Sequence, residues 1–195
     1  FNRMVPTEKY GESHPEYFAL VDGERKLDGR RTQLCLTNPD VYDICLKSVR
    51  EALLANPTSK IISISQNDTK NHCQCENCKK ADLEEGSPAG TLLNFVNRIA
   101  KELEPEFPDV VFDTLAYEYS RPAPNTVRNR HNVCVRLCSI ECCFAHPFKR
   151  YKFLTEFAIC TSYAIYLRCD MLPAATRKGI YVISQFSQKI ISHLH

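Results

Sequence analysis

The amino-acid sequence predicts an α/β fold in which parallel strands alternate with helices. Two segments with a strand pattern are each followed by a helical pattern, and two more strand patterns come after them. The helical segments carry apolar residues on one stripe only, which is typical of helices that pack against a sheet. A doubly wound sheet and a piece of a (β/α) barrel both suit this order of elements.

The first strand and helix follow a polar, turn-rich lead-in over residues 1–32, in which residues 17–21 have a strand pattern. Residues 33–37 alternate with a period of two and predict a strand. Asn38 and Pro39 then supply an N-cap and a first-turn proline, so we expect a helix that ends at about Ala55.

The second unit consists of a strand over residues 60–65, a long cysteine-bearing loop, and a helix from about Thr91 to Glu106. Residues 109–117 and 132–139 predict two further strands. One face of the strands is aliphatic and the other is small or polar. This alternation favours a barrel, whose interior opens onto a polar site, over a doubly wound sheet that is apolar on both faces. We therefore predict a partial TIM-barrel-like segment with about four parallel strands.

The charge and hydropathy of the chain argue against two classes of partner. Lys and Arg total 25 and Asp and Glu total 23, and the net charge of +2 creates no field that attracts nucleic acid or an anionic membrane. No apolar stretch approaches the roughly 18 residues that span a bilayer, and residues 1–4 lack the apolar core of a signal peptide. We expect no nucleic-acid partner and no transmembrane segment, and the compartment stays open.

Polar side chains follow the predicted strands at their carboxyl ends, where open sheets and barrels alike bind ligands. Asp68 follows the second strand and Glu141 the fourth. Two carboxylates on neighbouring strand ends can act as acid and base, or as acid and nucleophile, in glycoside hydrolysis. The candidates for substrate binding are Asn67, Tyr117, Tyr119, Arg136 and His146. In the alternative, Asp68 caps a turn, Glu141 forms a surface ion pair and the tyrosines pack.

Arg136 lies on the small, polar face of its predicted strand, where a charge needs an anionic partner. A substrate carboxylate, as on a uronic acid, is one candidate, and the carboxylates of Asp68 and Glu141 are others. An internal salt bridge is the partner that we favour.

The densest chemical signal is a C-x-C-x-x-C cluster formed by Cys73, Cys75 and Cys78 in a chain with 11 cysteines. Three thiolates so close together can occupy three corners of a tetrahedron around a structural zinc ion. A disulfide within the cluster and free thiols are the alternatives. The candidates for a fourth ligand are His72, Cys142, Cys143 and His146, whereas buried packing is predicted for Cys35, Cys45, Cys134 and Cys138.

Several blocks of the sequence occur in an order that resembles a known family. They are residues 14–20, 33–39, 63–68, 73–78, 95–100, 115–117 and 137–142. Together they resemble the bacterial family called domain of unknown function 4838, over about residues 14–148. The resemblance implies a glycoside-hydrolase-like (β/α)8 barrel, and a chain that is a central segment of a larger, usually exported, carbohydrate-active protein. It carries over no catalytic pair. A non-catalytic carbohydrate-binding or scaffold domain with a structural zinc site is the alternative function.

Residues 149–195 differ from the first 148 residues because they contain no block of that family. A complete barrel needs about 200–250 residues. We therefore predict a partial barrel over residues 1–148, followed by a divergent tail that is truncated or frame-shifted. In the alternative, residues 163–167 and 180–183 form elements that cover the exposed sheet.

Overall fold

The computed structural model describes residues 1–138 and 165–168 of the chain. The helices are α1 (Thr7–Tyr10), α2 (Pro39–Ala55), α3 (Glu76–Glu85) and α4 (Pro88–Leu103). The strands are β1 (Leu20–Val21), β2 (Glu24–Arg25), β3 (Ile61–Ser63), β4 (Val111–Ala116), β5 (Val133–Cys138) and β6 (Ile165–Arg168).

Strands β3, β4 and β5 form a parallel sheet, and β6 is paired in parallel with β5. In the register, Ser63 lies opposite Asp113, and Asp113 lies opposite Cys134. Within the described residues this sheet is open, and it does not close into a barrel. The predicted parallel α/β arrangement is confirmed, whereas the TIM-barrel-like closure is not.

The two faces of the sheet differ, as their alternating sequences predict. Phe112, Val133 and Val135 belong to one buried core together with apolar residues of α2 and α4, such as Val49 and Phe95. Residues two apart on a strand share a face. Asp113 and Arg136 therefore lie on the face opposite this core, with Ser63 beside them.

Local sequence signals explain where the two long helices begin. The Asn38 side chain accepts hydrogen bonds from the N–H groups of Asp40 and Val41, at 2.9 and 3.3 Å, ahead of α2. The Ser87 hydroxyl accepts one from the N–H of Ala89 at 3.1 Å, so α4 begins at Pro88 rather than at the predicted Thr91. Both helices use an oxygen-bearing cap followed by proline at the first position.

Three local predictions are wrong. Residues 33–37 do not form a strand, and only an isolated bridge joins Leu34 to Phe18. The strand predicted at residues 17–21 is shorter, because Pro15–Tyr17 form a 3-10 helix and β1 begins only at Leu20. From there β1 pairs with β2 in an antiparallel hairpin around Asp22 and Gly23, which both have positive φ. The loop predicted after β3 contains α3, which sequence periodicity misses because Cys78 is its one buried residue.

Across residues 1–138 and 165–168, no helix combines the length and the hydrophobicity that crossing a bilayer requires.

Candidate metal centre

Four cysteine side chains meet beside the β1–β2 hairpin. The sulfur atoms of Cys35, Cys73, Cys75 and Cys78 all lie within 4.8 Å of one another. Cys35, Cys73 and Cys78 are buried, and Cys75 is partly exposed. The structure therefore brings together the three cysteines of the predicted cluster and adds Cys35, for which buried packing alone was the expectation.

The spacing of the sulfur atoms suits a metal ion better than a disulfide. The Cys35 sulfur lies 3.6 Å from that of Cys75 and 4.0 Å from that of Cys78. A zinc–sulfur bond of about 2.3 Å places the sulfurs of a regular tetrahedron about 3.8 Å apart, whereas a disulfide needs about 2.05 Å. The four cysteines can thus hold one metal ion with tetrahedral geometry.

Backbone pairing brings these distant positions together. The N–H of Cys35 donates to the carbonyl of Tyr17 at 2.8 Å, and the N–H of Gln74 donates to the carbonyl of Leu20 at 2.7 Å. The hairpin is therefore held between the segment that carries Cys35 and the loop that carries Cys73. Since Cys75 is the N-cap of α3, the helix then places Cys78 in its first turn.

Hydrogen-bond donors surround the sulfur atoms. The N–H of Leu20 lies 3.4 Å from the Cys73 sulfur, and an Arg25 nitrogen lies 3.9 Å from it. The Thr37 hydroxyl lies 3.2 Å from the Cys78 sulfur, and it is also near the sulfurs of Cys35, at 3.6 Å, and Cys75, at 3.8 Å. Such donors stabilise thiolates, which carry net negative charge even when they share a divalent cation.

The thiols affect each other's protonation. Hydrogen bonds from Cys73 and Cys78 hold the pKa of Cys35 below its ordinary value. The hydrogen bond with Cys35 raises the pKa of Cys73 to about 11, and it also raises the pKa of Cys78. Cys35 therefore loses its proton readily, and Cys73 and Cys78 then keep theirs. A divalent cation favours deprotonation of all the thiols, because it binds all the thiolates at once.

His72, a predicted candidate for the fourth ligand, is not part of the cysteine cluster. Its ring stacks on that of Tyr119 with centroids 5.3 Å apart, and its Nε2 lies 3.9 Å from an oxygen of Asp82. Cys35 takes the fourth position instead. The other candidates, Cys142, Cys143 and His146, lie outside the described residues.

Asp68, a predicted catalytic residue, meets Tyr117, a predicted substrate-binding residue, at the carboxyl end of the sheet. The Tyr117 hydroxyl donates a hydrogen bond to Oδ1 of Asp68 at 2.7 Å, and the Asp68 side chain is exposed. This hydrogen bond raises the pKa of Tyr117 to about 12, because it stabilises the protonated phenol. Burial raises the pKa of Tyr119, which faces His72 instead.

Asn67 is buried and holds the chain together around it. Its side chain accepts from the N–H of Asn2 at 3.2 Å and donates to the carbonyl of Thr32. The side chain of Gln33 binds both the N–H and the carbonyl of Asn67, at 3.0 and 2.7 Å. Asn67 thus forms hydrogen bonds within the protein through both its side-chain amide and its backbone.

Arg136 forms an internal ion pair with Asp113, a residue that sequence reasoning missed. The guanidinium donates two hydrogen bonds to the Asp113 carboxylate, at 3.1 and 2.6 Å. Asp113 is offset from Arg136 by two residues in the register of the neighbouring strands, since Asp113 pairs with Cys134 and Arg136 pairs with Leu115. The remaining predicted residue, Glu141, lies outside the described part of the chain.

Comparison with protein-family models identifies the family of the chain. Residues 1–159 match the model described as Domain of unknown function (DUF4838). The match includes all four clustered cysteines and extends beyond residues 14–148, so the chain belongs to this family. The description names no activity. A search of curated proteins finds no match.

Proposed function

We propose that this member of the DUF4838 family binds one structural zinc ion through its four clustered cysteines. We further propose that the loops which this ion holds in place form a carbohydrate-binding surface. The observation that carries the metal assignment is the meeting of four sulfur atoms within 4.8 Å, from positions as far apart as Cys35 and Cys78. Cysteine sulfur is a soft ligand that zinc accepts in a closed, tetrahedral, structural site.

The proposed ion supports the loops through α3. Cys75 and Cys78 anchor the start of this helix, and Glu85 lies at its end. The Glu85 carboxylate accepts hydrogen bonds from the N–H groups of Thr126 and Val127, at 2.8 and 3.0 Å. These two residues belong to the connection between β4 and β5. A metal ion at the start of α3 would therefore stabilise a loop on the carboxyl side of the sheet.

The proposed carbohydrate surface is the carboxyl end of the sheet around Asp68 and Tyr117. Two considerations support it: ligands of parallel sheets bind at this end, and the family resemblance of the sequence blocks implies a carbohydrate-active protein. Exposed carboxylate and phenol groups can hydrogen-bond sugar hydroxyls. In this proposal the parallel sheet is part of a (β/α) barrel.

A second candidate function is glycoside hydrolysis with Asp68 and Glu141 as the two carboxylates. The exposure of Asp68 at the carboxyl end of the sheet favours it, because an acid, base or nucleophile must reach the substrate.

The zinc proposal is tested by matched substitutions of two buried cysteines. Cys35 belongs to the cluster, whereas Cys45 lies in α2 and is fully buried away from it. Metal analysis of the purified chain should find about one zinc per chain. Cys35→Ala should lower zinc affinity, and Cys45→Ala should leave it unchanged. A metal-free, folded protein, or equal affinities in the two variants, would overturn the assignment.

The carbohydrate proposals are separated by binding and turnover. A panel of polysaccharide fragments, aryl glycosides and uronides is tested with the unaltered chain and with Asp68→Asn and Glu141→Gln. Hydrolysis predicts that either substitution abolishes turnover while binding persists. A binding module predicts no turnover and weaker binding for Asp68→Asn. Absence of both binding and turnover contradicts both functions.

A further inference from the structure

We propose that Cys75 is an oxidation site of the metal centre, and that a hydroperoxide joins Cys75 to Cys35 in a disulfide that releases the bound zinc. This inference rests on the proposed zinc site. It adds a modification chemistry that a purely structural ion does not require.

Solvent access distinguishes Cys75 from the other three cysteines. Relative exposures are 4 % for Cys35, 5 % for Cys73 and 2 % for Cys78, so these sulfurs are shielded from a dissolved oxidant. Cys75 is partly exposed, since it precedes the first residue of α3. A zinc-bound thiolate is still nucleophilic, and oxidation selects thiolates that the oxidant can reach.

The sulfur of Cys75 lies 3.6 Å from that of Cys35. The two atoms need to approach by about 1.6 Å to reach disulfide length. The competing partners are Cys73 and Cys78, two and three residues from Cys75 in the chain, and both are buried. The Cys78 sulfur lies 3.2 Å from the Thr37 hydroxyl, a contact that the Cys35–Cys75 disulfide need not break.

The reaction balances with one hydroperoxide. The Cys75 thiolate attacks one peroxide oxygen, the O–O bond breaks, and the leaving oxygen takes a proton and departs as water or an alcohol. Cys75 is then a sulfenic acid. The Cys35 thiolate attacks its sulfur, the S–S bond forms, and the hydroxyl takes the second proton and leaves as water. The two thiolates lose two electrons, which the peroxide gains.

The zinc ion leaves because the oxidation removes two of its four ligands. Cys73 and Cys78 alone provide two thiolates, and zinc affinity depends on the complete, preformed ligand set. The new disulfide keeps the segment around Cys35 attached to the start of α3. Oxidation therefore exchanges a metal crosslink for a covalent one.

The test uses the full zinc-loaded chain with Cys45→Ala as the background, because Cys45 and Cys35 fall in one tryptic peptide, residues 32–47. Hydrogen peroxide is added, zinc release is followed with a chromophoric chelator, and the alkylated, unreduced digest is analysed by mass spectrometry. Fragmentation then assigns the sulfur within residues 71–79, the peptide that contains the other three cysteines. We expect loss of the bound zinc together with a Cys35–Cys75 crosslink.

The matched variant is Cys75→His, which keeps four possible zinc ligands but removes the reactive thiolate. This variant should retain its zinc at a peroxide concentration that releases the zinc from the Cys45→Ala protein. A disulfide confined to residues 71–79, or zinc that stays bound while peroxide oxidises the unfolded chain, overturns the inference alone. Metal analysis before peroxide addition separates the two proposals, since a chain purified without zinc overturns the metal centre as well.

Discussion

The ion pair between Asp113 and Arg136 on the polar face of the sheet should contribute measurably to the stability of the protein. The Asp113 side chain is 8 % exposed and the Arg136 side chain 27 % exposed, and two hydrogen bonds join them. Asp113→Ala leaves the guanidinium without its carboxylate. Removing one partner of a fully buried pair costs about 3–5 kcal/mol. Solvent screens the partly exposed guanidinium, so we expect a loss of about 2–3 kcal/mol.

The assay is urea unfolding of the full chain, followed by circular dichroism. Asp109→Ala is the matched control, because Asp109 forms an exposed pair with Lys60 at 3.5 Å and its side chain is 81 % exposed. That change should alter the free energy of unfolding by less than about 0.5 kcal/mol. A double variant that also replaces Arg136 with Met should recover part of the loss. Equal effects of the two Asp substitutions would refute the reasoning.

Three further predictions concern the cysteine cluster and the carboxyl end of the sheet. Thr37→Val should weaken zinc binding by about 10–100-fold, while Thr37→Ser should keep it, as competition with a chromophoric chelator will show; equal affinities would contradict a role for the hydroxyl. Removal of zinc should lower the free energy of unfolding by about 2.7 kcal/mol relative to a chain at a free zinc concentration 100 times its Kd, and Cys35→Ala should lose this zinc dependence in the same urea assay. Asp68→Asn should lower the pKa of Tyr117 from about 12 towards the usual 10, as measured by NMR titration of labelled tyrosine. Because the pKa of Tyr117 is raised in the folded state, this hydrogen bond contributes to stability below pH 10, and its contribution is lost between pH 10 and 12. An unchanged pKa in the variant would contradict the assignment of the shift to Asp68.

Much of the helical structure could be predicted because its signals are local. Asn38 and Pro39 both mark the start of α2 within two positions, and the side-chain oxygen of Asn38 binds the free N–H groups there. The alternation along β4 and β5 likewise indicates which residues face the core. Helix α3 escapes this reasoning, because it buries one residue and has no apolar stripe.

The candidate metal site was predictable in part. The C-x-C-x-x-C spacing concentrates three sulfur ligands within one short segment, whatever the rest of the chain does. Cys35 gives no such signal, since a cysteine in an alternating segment resembles any small buried side chain.

The sequence by itself determined the parallel α/β class, the cap of α2 and the three-cysteine cluster, because each depends on residues a few positions apart. Only the tertiary structure decided that Cys35 completes the cluster and that Asp113 pairs with Arg136. The first depends on backbone pairing of Tyr17 with Cys35, and the second on the register of β4 and β5. Such contacts join residues far apart in the chain, and their geometry exists only once the hairpin and the sheet have formed.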